Sequence, residues 1–227
     1  MAPRSESASM NPSDLPLDQL RLALAPRVAA AAIFDGWTDA ALASAAVELG
    51  VAGATARIAF PDGAMDMIDA WIETIDARML ADLPPARLGN LSIRERIRTL
   101  VEFRFDTIAG LEEALRRAQA VMALPGNLRR SAWLGWRSAD RMWRLAGDTA
   151  MDWNHYTKRA TLGSIYAATM LVFVDDESGG KADTRAFLAR RIEGLMRFEK
   201  AKARLLKPSG ERFSPMRLAG RLRYPAR

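Results

Sequence analysis

The segment from residue 160 to residue 174, ATLGSIYAATMLVFV, is fifteen residues long and contains no charged side chain. A helix of that length rises about 22 Å, which is short of the ~30 Å hydrocarbon core of a bilayer. The segment must therefore find apolar surroundings inside the protein. We expect a central helix that is buried on nearly all sides.

The composition of the rest of the chain favours helices throughout. Ala, Leu and Arg dominate the 227 residues, and Gly and Pro are found mainly at the ends of apolar periodic segments. The chain has no cysteine and one histidine, which excludes disulfides, thiolate metal sites and most histidine-based metal centres. No phosphate-binding glycine loop or nucleophile-elbow motif is present. The sequence predicts an all-α protein that contains neither a metal nor a cofactor.

The first four predicted helices follow the order of a helix-turn-helix protein. A helix from Leu17 to about Phe34 is expected to be bent or interrupted at Pro26, and Thr38 is a plausible N-cap for the next helix, which stops at Gly50. A short helix and a long one, the latter over about 64–83, complete the order. This layout predicts a TetR-like bundle of about nine or ten helices with a degenerate N-terminal helix-turn-helix.

Capping signals delimit the later helices. Ser92 and Glu95 form a capping box, and Asn127 and Asp183 are predicted N-caps. The domains we expect are a disordered leader over 1–15, a helix-turn-helix-like subdomain over 16–83, a larger helical domain over 88–207, and a basic tail over 208–227.

Charge argues against nucleic-acid binding. Between Thr38 and Ala70 the only basic residue is Arg57, against five acidic residues, for a net charge of −4. A recognition helix lies among phosphates and needs cations around it. We therefore expect no nucleic-acid partner. A TetR-type repressor with a hydrophobic effector remains the alternative function.

Two helices in the middle of the chain are rich in aromatic and methionine side chains. Such side chains suit either an ordinary core or the adaptable wall of an apolar cavity. On the second interpretation, the predicted wall residues are Trp136, Met142, Ile165, Tyr166, Met170 and Phe173.

The start of the central helix carries the densest group of polar and aromatic side chains. Trp153 and Tyr156 are expected to face the core, with His155, Lys158 and Arg159 outside. His155 has no nucleophile or orienting group in a recognisable motif, so we expect no catalytic residue. Charged side chains beside aromatic ones are typical of a protein-docking surface.

Basic charge is concentrated at the C-terminal end, where residues 187–227 contain 12 basic and 3 acidic side chains. Within the stretch SPMRLAGRLRYPAR, helical spacing would form a short basic amphipathic helix for an anionic membrane surface. A solvated basic tail is the other interpretation. The predicted membrane-binding residues are Met216, Arg217, Leu218, Arg221, Leu222 and Arg223.

Several motifs between about residue 33 and residue 200 resemble a known family. The most specific is MWRLAGDTAMDWNHYTKRATL, and FDGWTDAALASAAVELGV, LSIRERIR and DDESGGKADTRAFLARRIEGLMRFEK follow the same family pattern. This pattern is similar to that of the ubiquinone-biosynthesis accessory lipid-binding proteins, the Coq-nine family. His155 stands where that family usually has tryptophan.

The resemblance implies a TetR-like fold and a homodimer, and it makes 88–207 the lipid-binding and dimerisation domain, with an isoprenoid or phospholipid ligand in an apolar pocket. It also implies presentation of lipid to the di-iron demethoxyubiquinone hydroxylase by a protein that is not itself an enzyme. The expected location is cytoplasmic, peripheral on the inner face of a bacterial membrane. The family's docking surface matches Asp152, Asn154, His155, Tyr156, Lys158 and Arg159 of this sequence.

Overall fold

The computed structural model describes residues 12–148 and 153–206, and no strand occurs within them. All-α architecture is therefore confirmed for the described residues. Three short 3₁₀ turns supplement ten α-helices, which are α1 (Leu17–Asp35), α2 (Asp39–Leu49), α3 (Gly53–Ile58), α4 (Ala64–Asp82), α5 (Pro85–Leu88), α6 (Ile93–Thr107), α7 (Glu112–Met122), α8 (Leu128–Leu145), α9 (Trp153–Asp175) and α10 (Ala182–Leu206).

The N-terminal helices form because a regular apolar face meets a partner. Helix α1 buries Leu20, Leu24 and Val28 at four-residue spacing and packs against α2 and α4. The interruption expected at Pro26 does not occur, because Pro26 lies on the exposed side of α1, where water can take the place of the missing N–H. Gly50 ends α2 in the left-handed conformation, at φ 73°.

The N-terminal helices share one hydrophobic core with the helices that follow. Trp37, in the turn after α1, donates its indole N–H to the carbonyl oxygen of Ala114 on α7, at 2.9 Å. Its ring also lies 5.3 Å from that of Trp71 on α4. Helix α4 is thereby held between the helix-turn-helix region and the larger bundle.

The predicted capping box is present. Ser92 accepts a hydrogen bond from the Glu95 backbone N–H at 3.3 Å, and the Glu95 carboxylate accepts from the Ser92 N–H at 2.9 Å. These reciprocal bonds satisfy backbone donors that the first turn of α6 leaves free.

Three other predicted N-caps lack the expected side-chain bond. Thr38 and Asn127 lie at the N-cap positions of α2 and α8, but the Thr38 hydroxyl donates to the carbonyl oxygen of Asp35 at 3.0 Å. The Asn127 amide donates to the carbonyl oxygen of Val121 at 2.8 Å, and its side chain does not cap α8. Helix α10 begins one residue before Asp183, so this residue lies in its first turn. The carboxylate that serves α10 is Asp176, which accepts from both the backbone N–H of Thr184, at 2.8 Å, and its hydroxyl, at 2.6 Å.

Helix α9 is buried on one side only, so the prediction of nearly complete burial is wrong for the single chain. The buried stripe contains Arg159, Leu162, Tyr166, Thr169 and Phe173. The opposite stripe is exposed and uncharged over most of its length, and it contains Tyr156, Ala160, Ser164, Ala167 and Leu171. Among the described helices, none has both the length and the hydropathy that a bilayer span requires.

Candidate functional site

A cavity of about 320 Å³ lies between α4, α6, α7, α8 and α9. Its inner wall is apolar because α4 presents Ile68, Trp71 and Ile75 at helical spacing, and α7 presents Leu115 and Ala118 across from them. A volume near 300 Å³ is at the small end of the range for ligand sites in proteins. The cavity can therefore hold part of a lipid rather than a whole one.

Small side chains make the opening of the cavity. Helices α8 and α9 approach closely at two glycines, where a Cβ on Gly163 would lie 3.9 Å from the carbonyl oxygen of Gly135. One turn further along α9, Ala167 and Leu171 line the cavity and are exposed. Across the opening, Ala123 at the end of α7 is exposed too. The cavity thus reaches solvent through an apolar rim.

Buried polar groups lie at one place in the cavity wall. The Arg104 side chain, 1% exposed, donates its Nε–H to the Tyr166 hydroxyl at 3.0 Å and an Nη2–H to the Ser138 hydroxyl at 3.3 Å. Its Nη1 pairs with the Asp76 carboxylate, which also pairs with Arg141. We call Arg104, Ser138 and Tyr166 the polar floor of the cavity.

The structure places two of the six predicted wall residues, Tyr166 and Met170, in the wall of this cavity. Met142 and Phe173 are buried in the core instead, where Phe173 packs against Phe105 with ring centroids 4.9 Å apart. The remaining two, Trp136 and Ile165, also lie outside the wall. Helix periodicity identified the correct helices but not the side of each helix that borders the cavity.

The predicted wall residues come only from α8 and α9, so sequence reasoning missed the contributions of α4, α6 and α7. A signal was present in α4, because Ile68, Trp71, Ile72 and Ile75 form an apolar stripe at spacings of one, three and four. No comparable signal marks Arg104, since a lone arginine in a helix is usually exposed. Only the packing of α6 against α4 and α8 shows that this arginine is buried.

The predicted docking surface divides into a buried ionic part and an exposed aromatic part. Arg159 was expected outside, yet it is 2% exposed. Its Nε lies 2.5 Å from the Asp140 carboxylate and its Nη1 lies 3.0 Å from that of Asp148. Lys158 pairs with Asp148 at 2.7 Å. The two cations therefore fasten the start of α9 to the end of α8.

Ion pairing also perturbs the carboxylate between them. Burial alone would raise the pKa of Asp148, but hydrogen bonds from Lys158 and Arg159 outweigh it and hold that pKa below its usual range. Asp148 is consequently ionised at neutral pH and binds both cations.

The exposed part of the surface is aromatic. Tyr156 was expected to face the core, but it is 58% exposed and its ring stacks on that of Trp136 with centroids 5.9 Å apart. The His155 ring lies against Tyr156, at 5.2 Å. Asp152 lies outside the described residues, the structure gives only the backbone of Asn154, and the predicted membrane-binding residues 216–223 lie outside the described residues as well.

The acidic character of the helix-turn-helix region has a structural cause. Carboxylates of α4 and of the turn before it face arginines of α8, with Asp62 3.2 Å from Arg130 and Asp69 2.5 Å from Arg137. On the first helix, Arg21 lies 3.5 Å from Asp69. These carboxylates therefore pair with partly buried arginines of α1 and α8. In the short helix α3, the cation is Arg57, which pairs with Asp39 at 3.9 Å.

Comparison with known proteins finds one family and one fold to which the chain is similar. The COQ9 family model matches residues 128–199. The ubiquinone biosynthesis protein COQ9, mitochondrial, of Rattus norvegicus is 34% identical over 183 residues, or 78% of this chain and 58% of that protein. The human protein of the same name is 33% identical over 78% of this chain and 57% of that protein.

The chain thus spans less than two thirds of the length of the curated relatives it matches. Among solved structures, a TetR transcriptional regulator from Nitrosomonas europaea ATCC 19718 matches with a TM-score of 0.64 at 24% identity, over 79% of this chain and 99% of that one. This match confirms the predicted TetR-like fold.

Proposed function

From the premise that this chain belongs to the COQ9 family, we propose that it serves ubiquinone biosynthesis by binding an isoprenoid lipid in the cavity between α4 and α9. The protein acts as a carrier and not as an enzyme in this proposal. The observation that supports lipid binding most directly is the cavity itself, which is apolar over most of its wall and opens between small side chains.

The energetics favour an apolar chain at this site. Burial of apolar surface contributes about 25 cal/mol per Å², so each isoprene unit that leaves water contributes on the order of a kcal/mol. A cavity of about 320 Å³ accommodates only part of a long polyprenyl lipid. The remainder continues along the apolar rim around Leu171, which is 61% exposed.

We also assign the delivery of the lipid to a protein partner, the di-iron hydroxylase that acts on demethoxyubiquinone. The support is the exposed stack of Tyr156 on Trp136, with His155 beside it. Exposed aromatic side chains that are already held in place lose little conformational entropy on binding, and they are frequent anchors of interfaces. The buried pairs of Arg159 fix the helix that carries this surface.

The proposal includes a homodimer at a membrane surface. The exposed stripe of α9, with Ala160, Ser164, Ala167 and Leu171, carries no charge and suits the close approach of a second copy. The basic residues of the tail, 208–227, suit an anionic lipid surface. The location that we propose is peripheral, on the inner face of a bacterial membrane.

A DNA-binding role fits the ion pairs less well. The repressor alternative needs cations free to meet phosphates, whereas Arg21, Arg130 and Arg137 already pair with carboxylates of the same chain. We therefore propose that this TetR-like chain binds lipid and has no nucleic-acid partner.

Mass spectrometry of lipid extracted from the purified full chain tests the central claim. The expected result is a co-purifying prenyl lipid, close to one per chain, that is lost when the cavity is blocked. A protein that carries no lipid and takes up none from vesicles containing prenyl quinone would contradict lipid binding.

A further inference from the structure

The hydroxyl groups of Tyr166 and Ser138 line the cavity, and each already accepts a hydrogen bond from Arg104. A guanidinium has no acceptor, so the direction of both bonds is fixed. Each hydroxyl therefore has its own hydrogen left to donate. Among the described residues, no acceptor for either hydrogen is found.

The surroundings make such unused donors costly. Tyr166 is 7% and Ser138 is 2% exposed, so water reaches them mainly through the cavity. A buried donor that has lost water and gained no partner is energetically costly. An oxygen acceptor that enters the cavity would remove that cost for both hydroxyls at once, whereas a hydrocarbon would leave it.

The net charge around the polar floor also favours an oxygen acceptor. Asp76 is fully buried and pairs with both Arg104 and Arg141, so this group of three carries one positive charge in excess. The excess positive charge favours an electron-rich oxygen over an apolar group at the floor.

We propose that the polar floor is a binding subsite for the oxygen-bearing end of the lipid, a carbonyl or carboxylate, which accepts hydrogen bonds from Tyr166 and Ser138. The apolar chain then leaves the cavity past Ala167 and Leu171. This inference rests on the proposed lipid-binding function, and it adds an orientation with the oxygen end inside. Arg104 acts through the two hydroxyls as a positioning residue, because it fixes which way their hydrogens point.

Calorimetric titration of the lipid-stripped full chain tests the orientation with three probes of similar chain length. One is a short-chain prenyl benzoquinone, one is a fatty acid, and one is a prenyl hydrocarbon without oxygen. We expect Tyr166→Phe and Ser138→Ala each to weaken binding of at least one oxygen-bearing probe about two- to tenfold. The hydrocarbon should bind the variants and the native chain alike. The probe with the larger loss distinguishes a quinone carbonyl from a carboxylate.

Thr107→Val is the matched control, because this threonine at the end of α6 lies outside the cavity wall and its hydroxyl donates to the carbonyl oxygen of Phe103 in its own helix, at 2.8 Å. It should change no affinity. Equal loss for the hydrocarbon and the oxygen-bearing probes would mean that the hydroxyls act on packing, and this would overturn the subsite. Unchanged affinities in both floor variants would overturn it too, while leaving lipid binding intact. Failure of all three probes to bind the native chain would contradict the proposed function itself.

Discussion

Arg159 and Asp140 form a buried ion pair that joins α9 to α8, with Nε 2.5 Å from a carboxylate oxygen and the arginine 2% exposed. The same carboxylate holds Arg144 on its own helix, at 2.7 Å, but that arginine is 70% exposed. One aspartate thus pairs with a cation inside the protein and with another at its surface.

Replacement of the buried arginine should be strongly destabilising. Arg159→Ala leaves Asp140 and Asp148 without their shared cation, and removal of one partner of a buried pair costs about 3–5 kcal/mol. Arg144→Ala, the matched control, should cost at most about 1 kcal/mol because water screens an exposed pair. Urea unfolding followed by circular dichroism measures both. Equal losses in the two variants would contradict the assignment of the stability to burial.

Acid should abolish the contribution of Asp148. Its pKa is lowered in the folded state, so its stabilising effect is full above the unfolded-state pKa, about 3.9, and is lost as the pH falls through the lower folded-state value. The free energy of unfolding of Asp148→Asn should therefore lie below that of the native chain at pH 7. The two should converge in acid below pH 4. A difference that stays constant down to acid pH would show that charge is not the cause.

A bulky side chain at the rim should keep lipid out. Ala167 lines the cavity and is exposed, so Ala167→Trp places its ring at the opening without burying a polar group. We expect several-fold less lipid per chain in mass spectrometry of extracts. Ala160→Trp, on the same exposed stripe but outside the cavity wall, should retain native lipid content. Equal loss in both variants would point to the α9 stripe rather than the cavity.

Truncation of the exposed tyrosine should weaken docking to the hydroxylase. Tyr156→Ala removes the ring that stacks on Trp136. Removal of an interface anchor typically costs about 2 kcal/mol of binding free energy, which corresponds to roughly 30-fold weaker binding. Asp152→Lys should weaken binding as well, through charge. Phe34→Ala removes another exposed aromatic, in α1, and should have no effect. Native affinity in a pull-down of the hydroxylase by both docking variants would refute this surface.

Deletion of residues 208–227 should abolish most membrane binding. The native chain should bind vesicles rich in anionic lipid, bind neutral vesicles weakly, and dissociate in high salt, because each basic residue near the surface contributes roughly 1 kcal/mol that salt screens. The truncated chain should stay folded and dimeric. Equal co-sedimentation of the two proteins with anionic vesicles would place the membrane contact elsewhere.

Local signals predicted the helices well, because capping and chain breaks depend on neighbouring residues. The Ser92–Glu95 box and the stop at Gly50 are of this kind. Asn127 illustrates the limit, since its side chain can either accept from the following helix or donate backwards, and a 3₁₀ turn decides for the second.

The orientation of α9 could not be read from its own residues. Its uncharged segment offers two apolar stripes, and the one that is buried begins with Arg159. The partners that make burial of this arginine possible, Asp140 and Asp148, precede it by 19 and 11 residues. The charge of Arg159 therefore indicated an exposed position, whereas its ion pairs with residues outside α9 allow it to be buried. Arg104 of the polar floor was missed for the same reason, because Asp76 and Arg104 become partners only when α4 meets α6.

One face of helix α4 borders the cavity, and the other forms ion pairs with neighbouring helices. Ile68, Trp71 and Ile75 border the cavity, and Asp66 and Asp69 bind arginines of α1 and α8. The N-terminal region is for this reason no detachable module. A fragment that began after Leu83 would lack a wall of the cavity, and its α8 would expose Arg130 and Arg137 without counterions. A shortened chain that keeps the cavity closed on this side must therefore retain α4.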